Sequence, residues 1–181
     1  MKFRTTKLPG VIEIELELKS DERGFFARSW CQKEFEDHGL NAKLAQCSVS
    51  FNQRKGTLRG LHYQDAPHGE AKLVRCTRGS VYDVVVDLRP QSPLFKNWVA
   101  VVLTAERRNL LYVPEGCAHG FLTLEDATEV FYQISEFYHP ELSRGVRWND
   151  PAFQIVWPEP MQVISERDRT YPDFETVPCA S

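Results

Sequence analysis

Three side chains with complementary proton chemistry fall in strand-like parts of this 181-residue chain. His62 follows Arg59-Gly60-Leu61, Lys72 begins an apolar-rich segment, and Tyr132 alternates with Val130 and Ile134. A histidine near its ordinary pKa of about 6.5 is the natural general base at neutral pH. To take a proton from carbon it needs a neighbouring carbonyl in the substrate, and a cation such as Lys72 to steady the enolate oxygen. A carboxylate beside the ring would set its tautomer and stabilise its protonated form. Asp83 and Asp168 are the candidates for that task. Tyr132, on the other side of the substrate, would return a proton to the opposite face and so invert the carbon. Each residue also has a plainer reading, because a strand tyrosine is usually half-buried packing and a lone histidine a hydrogen-bonded bystander.

The elements that position these residues read mainly as strands, since apolar residues recur with period two. From Ser80 to Arg89, Tyr82, Val84, Val86 and Leu88 point one way, while Val81, Asp83, Val85 and Asp87 point the other. Those two aspartates face either water, as half of an antiparallel sheet may, or the lumen of a small barrel, where Asp83 would be a substrate contact. Ala71 to Thr77 reads as the preceding strand, with Arg78-Gly79-Ser80 as the turn between them. Asn97 to Thr104, Leu110 to Val113, Gly120 to Leu124 and Thr128 to Tyr138 read as further strands, separated by turn-rich gaps. A short helix fits Gln32 to His38, stopped by Gly39. The expectation is an all-β fold with short peripheral helices, an antiparallel sandwich or barrel. A jelly roll is the favoured form, although periodicity fits other β-sandwiches equally well. No linker or repeat divides the chain, so residues 1–181 are expected to form a single domain with a tail from about 171.

Composition removes several classes. A formal charge of -3 disfavours nucleic acid as the main ligand. The longest apolar run, Trp98 to Leu103, is far short of the ~18 residues of a membrane helix. Met1 to Lys7 lacks the apolar stretch of a secretion signal. Five scattered cysteines, odd in number and without a C-x-x-C pair, suit reduced thiols. A cytoplasmic location is the expectation.

Pro114 to His119 has the form P-x-G-x-x-H, which resembles the second motif of the cupin superfamily. Many cupins bind a metal through a first motif carrying H-x-H. Here that segment reads His62-Tyr63-Gln64, and His68 and Glu70 fall in a loop with Pro67 and Gly69. A metal centre needs three suitable ligands at fixed geometry, so metal-free chemistry without a cofactor is expected.

A longer series of motifs follows: Asp21-Glu22-Arg23-Gly24-Phe25-Phe26, Leu58-Arg59-Gly60-Leu61-His62-Tyr63-Gln64, Lys72-Leu73-Val74-Arg75-Cys76, Phe131-Tyr132 and Arg147-Trp148-Asn149-Asp150-Pro151. With these the chain resembles the dTDP-4-dehydrorhamnose 3,5-epimerase family from about residue 3 to residue 170. The resemblance implies a cupin-like jelly roll, usually a homodimer that exchanges N-terminal segments. It also implies a nucleotide-diphospho-4-keto-6-deoxy sugar as substrate, whose C4 ketone acidifies both C3 and C5. His62 matches the family's base, Asp168 its partner, Lys72 the enolate support and Tyr132 the acid. Arg23 and Arg59 match diphosphate-gripping positions, suited to forked guanidinium groups. Gln46 matches a nucleotide contact and His119 a sugar-pocket contact, while Phe26, Phe121 and Tyr138 would line the base and sugar pockets.

Four departures fall on ligand-binding positions: Arg28 stands where the family carries an acid, Ser48 where it has Asn, Ser143 where it often has Glu, and Arg167 where it has Lys. The base and the acid are unchanged. The leading reading is therefore a cofactor-independent epimerase acting at C3, C5 or both. The alternatives are a single-centre epimerase or ketoisomerase on a CDP- or GDP-linked sugar, and a nucleotide-sugar binding module without turnover.

Overall fold

Period-two alternation is borne out along most of the chain, and it sorts residues among three apolar layers. The computed structural model describes residues 1–174, so the end of the expected tail and Cys179 lie outside the described residues. Strands β1 (Lys2–Thr5) and β2 (Ile12–Glu15) lead to a hairpin of β3 (Lys19–Asp21) and β4 (Gly24–Phe26), then helix α1 (Gln32–Asp37). The main strands are β5 (Gln46–Asn52), β6 (Thr57–Gln64), β7 (Lys72–Arg78), β8 (Ser80–Asp87), β9 (Trp98–Thr104), β10 (Leu110–Val113), β11 (Cys117–Thr123) and β12 (Thr128–Ile134). A 3-10 turn (Pro140–Leu142), β13 (Ser143–Gly145), β14 (Val163–Ile164) and helix α2 (Glu166–Arg169) complete the order. Among the described residues no helix is long and apolar enough to cross a membrane.

One sheet runs β1-β2-β10-β7-β12-β5 and the other β13-β6-β11-β8-β9, with β14 parallel to β6. Between them lie Val74, Cys76, Leu111, Val113 and Val130 from the first sheet and Val81, Val85, Leu103, Cys117 and Phe121 from the second. This is the cupin-like jelly-roll sandwich expected from the strand spacing and the resemblance. Phe35 of α1 covers the outer face of the first sheet, against Ile14, Leu73, Leu110 and Tyr112. A phenylalanine buried in this way contributes about 1.5–3 kcal/mol. Val146, Phe153 and Trp157 cover the outer face of the second sheet over Leu61, Val84, Val86 and Ala118.

That double cover corrects one open reading of β8. Both of its faces are packed, so Asp83 and Asp87 are fully buried and neither faces water. Asp87 is structural: it accepts from Arg89 Nε (2.8 Å), Arg89 Nη2 (2.7 Å) and Ser92 Oγ (2.6 Å), and so ties down the loop that follows. The expected turn at Gly79 is also present, but it joins different sheets. β7 pairs with β10 and β12, whereas β8 pairs with β9 and β11. Gly79 has φ +75°, and a Cβ there would meet Thr128 Oγ1 at 2.5 Å, so this corner requires glycine. Thr128 to Tyr138 is strand only as far as Ile134; beyond it the chain leaves the sheet.

Candidate active site

At one end of the sandwich the interior stops being apolar. Along β7 the inward residues run Cys76, Val74, then Lys72; along β12 they run Val130, then Tyr132; along β11 they run Cys117, His119, Phe121. Ser48 and Ser50 on β5 are too small to fill the space between the sheets. A cavity of about 710 Å³ results, lined by residues of β5, β6, β7, β11, β12 and α2. It brings together His62, Lys72, Tyr132, Asp168, Arg59, His119, Phe121, Ser48 and Arg167.

The base candidate is held by a short piece of local structure. Gly60 and Gly120 let β6 and β11 approach so closely that a Cβ on Gly60, at φ +116°, would meet Gly120 Cα at 2.6 Å. The register of the two strands shifts between His119 and Phe121. The Gly60 N–H donates to Asp168 Oδ2 (3.1 Å), while Asp168 Oδ1 lies 2.7 Å from His62 Nε2. Asp168 is itself fixed because Ser165 caps α2, its Oγ accepting from the Asp168 N–H at 3.1 Å. Burial pushes the Asp168 carboxyl up, but the His62 hydrogen bond and charge, with the Gly60 and Ser165 bonds, outweigh it and hold the carboxyl below its ordinary range. An ionised Asp168 takes the Nε2–H, which leaves the lone pair of the neutral imidazole on Nδ1. The His62 side chain is 38% exposed and Asp168 6%, so the ring meets the cavity while its partner is covered.

A second histidine–aspartate pair stands beside the first, since His119 is the register partner of His62. His119 Nε2 lies 2.9 and 3.0 Å from the two oxygens of Asp83. Here burial dominates and raises the Asp83 carboxyl above its usual range, against the opposing pull of His119 and Lys72. Lys72 is paired with Glu70 (2.9 Å), and its Nζ also donates to His62 O (3.4 Å). Burial, and then the charge of Asp83, push the Tyr132 phenol well up, so it keeps its proton through neutral pH.

Other sequence candidates lie elsewhere. Asp83 is a substrate-contact candidate that the structure corrects: with no exposure it sits behind His119 and reaches the cavity only through that ring. As an orienter it serves His119, and Asp168 serves His62. Arg23 and Phe26 are on the β3–β4 hairpin, where the Arg23 side chain is 84% and Phe26 71% exposed, and neither lines the cavity of its own chain. Gln46 accepts from the Tyr138 N–H (2.7 Å) and Tyr138 is exposed, so these two form a rim rather than a wall. Of the four departures, Ser48 and Arg167 line the cavity; Arg28 instead reaches Glu34 at 3.3 Å, and Ser143 accepts from Arg167 Nη2 at 3.0 Å.

Several residues have no signal in the sequence analysis. Glu70 partners Lys72, and buried Asn52 accepts from Arg59 Nε (2.7 Å). Tyr171 lies edge-on to His62 with ring centres 6.3 Å apart and accepts from Arg167 Nε (2.8 Å). A Cβ at Gly145 would run into the Tyr171 ring. The S-x-x-D spacing of Ser165 and Asp168 is the one such feature readable as a cap.

Comparison with known proteins agrees with this geometry. Residues 5–176 match the family model described as dTDP-4-dehydrorhamnose 3,5-epimerase. A protein of that name from Shigella flexneri is 44% identical, the match covering 93% of each chain. A crystal structure of the enzyme of that name from Elizabethkingia anophelis superposes with TM-score 0.94 at 39% identity, covering 97% of each chain. The dTDP-6-deoxy-D-glucose-3,5-epimerase of Legionella pneumophila, solved in complex with dTDP-4-keto-L-rhamnose, matches with TM-score 0.86 at 38% identity, covering 92% of this chain and 89% of that one.

Proposed function

Since the chain belongs to the dTDP-4-dehydrorhamnose 3,5-epimerase family, we propose that it is an isomerase that epimerises a dTDP-4-keto-6-deoxy sugar at C3 and C5 without a metal or cofactor. The observation that carries the reading is the His62–Asp168 pair opening onto a cavity that also holds Lys72 and Tyr132. His62 removes the proton from a carbon next to the C4 ketone, and Asp168 stabilises the imidazolium that forms. Lys72 compensates the charge growing on the enolate oxygen. Tyr132, which reaches the reaction still protonated, delivers a proton to the opposite face. Arg59, braced by Asn52, grips the diphosphate. Arg167, Ser48, His119 and Phe121 surround the sugar and nucleotide, with Tyr138 and Gln46 at the rim.

The same reading makes the active unit a homodimer. The hairpin holds Arg23 and Phe26 exposed and away from the His62 cavity of its own chain, and β5 ends its sheet with Val49 and Phe51 exposed. A second copy would cover that edge and receive Arg23 and Phe26 at its cavity, and sedimentation at micromolar concentration would find two chains. Residues 1–181 act as one domain in this account, which the family match over residues 5–176 supports. Four unpaired cysteines among the described residues support a cytoplasmic location.

The test is incubation with a dTDP-4-keto-6-deoxy hexose in D2O, with C3 and C5 followed by NMR. Deuterium at both carbons with inversion is expected. Deuterium at one carbon would restrict the enzyme to a single centre, and no exchange would reduce it to a binding module.

A further inference from the structure

Outside the cavity, where the loop between β6 and β7 meets the segment after β12, His68, Glu136 and His139 converge. Each is half-buried, and one ligating atom from each lies within 4.8 Å of the others. We propose that these three residues bind a divalent transition ion of borderline softness, with Zn²⁺ as its representative. The proposal is independent of the epimerase reading, since none of the three lines the cavity.

The donor set is two imidazoles and one carboxylate, which suits Zn²⁺ and its first-row neighbours and not the all-oxygen preference of Ca²⁺ or Mg²⁺. In a tetrahedral zinc site, bonds of about 2.0–2.1 Å put ligand atoms roughly 3.3 Å apart. The three groups therefore need to draw in by no more than ~1.5 Å, within reach of half-buried side chains. Water would complete the coordination.

The backbone is already braced for this. Gln64, almost fully buried on β6, donates from Nε2 to His68 O (2.6 Å) and Phe137 O (3.0 Å), and its Oε1 accepts from the His139 N–H (2.8 Å). One side chain thus fixes the main chain at both histidines and next to Glu136, so little ordering remains for the ion to impose. The two imidazole rings are stacked, 4.0 Å between centres and 11° between planes. An imidazole lone pair lies in the plane of its ring, so the two rings turn out of this stack to point at a common ion. Glu141 Oε1, 3.2 Å from His139 Nδ1, supplies the carboxylate that metal-binding histidines commonly lean on. Lys43 Nζ, 2.9 Å from Glu136 Oε2, competes with the ion for that carboxylate.

That competitor gives the test a direction that a merely structural cluster lacks. Chelator-stripped protein is titrated with Zn²⁺ against a chromophoric chelator, with each variant's Tm first matched to wild type in the absence of zinc. Wild type is expected to bind one ion per chain at this site. His68→Ala and His139→Ala should each weaken it by more than about tenfold, and Glu141→Gln by about tenfold. Lys43→Ala should tighten it by about two- to fivefold. If a histidine variant fails to fold, Glu136→Gln serves in its place. Zinc affinity undiminished in the His68→Ala/His139→Ala double variant, or weakened by Lys43→Ala, would overturn the proposal. So would the absence of zinc binding by wild type.

Discussion

Two histidines on neighbouring strands of the same sheet each hold an aspartate, and the two pairs differ in how far they open to the cavity. His62 and His119 are register partners, and each holds its aspartate through Nε2 at hydrogen-bond distance. They differ in cover. His62 is 38% exposed at the cavity, whereas His119 is 4% exposed and its Asp83 not at all. The carboxylates differ in consequence: the bonds to Asp168 hold its pKa down, and burial drives that of Asp83 up. Identical residue types at similar distances thus give one imidazole open to the cavity, the proposed base, and one nearly covered imidazole in the cavity wall. Exposure and the number of donors on the carboxylate decide which is which.

The largest contrast is expected between the two carboxylates. Asp168→Asn should lower kcat by about 10²–10⁴-fold, and Asp83→Asn by less than about tenfold, in steady-state assays. Equal losses would dissolve the distinction. Tyr132→Phe should impair inversion more than loss of the substrate C–H proton to solvent, because only the second half of the reaction needs the phenol; equal impairment would remove its assigned role. Replacement of dTDP by CDP or GDP should weaken binding in side-by-side titrations, and a clear preference for CDP or GDP would move the specificity to the departures at Ser48 and Arg167.

Acid stability sharpens the same comparison. With its folded pKa lowered, Asp168 contributes stability that is complete above its unfolded value of about 3.8 and is lost as pH falls through the folded pKa. Asp83 has the opposite sign: its raised pKa makes the fold lose stability as pH rises from about 3.8 through the folded value. Urea midpoints against pH should therefore flatten below about 3.8 in Asp168→Asn and above it in Asp83→Asn. The smallest effect is expected from Tyr171→Phe, which keeps the ring against His62 and loses only the bond from Arg167. It should cost about 1 kcal/mol of stability.

Much of the fold is legible where strands bury one or both faces. Leu110–Val113 is the strand expected, and Lys72–Arg78, Ser80–Asp87 and Trp98–Thr104 differ from expectation by one or two residues at their ends. Strands β1 to β4 go unrecognised because they are short and interleaved with charge, and tertiary pairing rather than local propensity holds them. β5 and β6 carry the site yet lack a clean apolar period, since Ser48, Ser50, Arg59 and His62 face a cavity instead of a core. His62, Lys72 and Tyr132 are readable as types. The choice of Asp168 over Asp83 as the partner of His62 is legible only through the family resemblance, because 106 residues separate the pair and the deciding contact is made by the cap of α2. Nothing local marks Glu70 as the partner of Lys72, or Gly145 as the space into which Tyr171 fits.

The proposed epimerisation depends on the His62 imidazole taking the proton from carbon. It is tested most directly by comparing wild type, His62→Ala and His119→Ala in D2O with the dTDP-linked 4-keto sugar, following deuterium at C3 and C5 by NMR. Exchange is expected in wild type and in His119→Ala, and none above background in His62→Ala with the fold intact by circular dichroism. Exchange persisting at the wild-type rate in His62→Ala would contradict it.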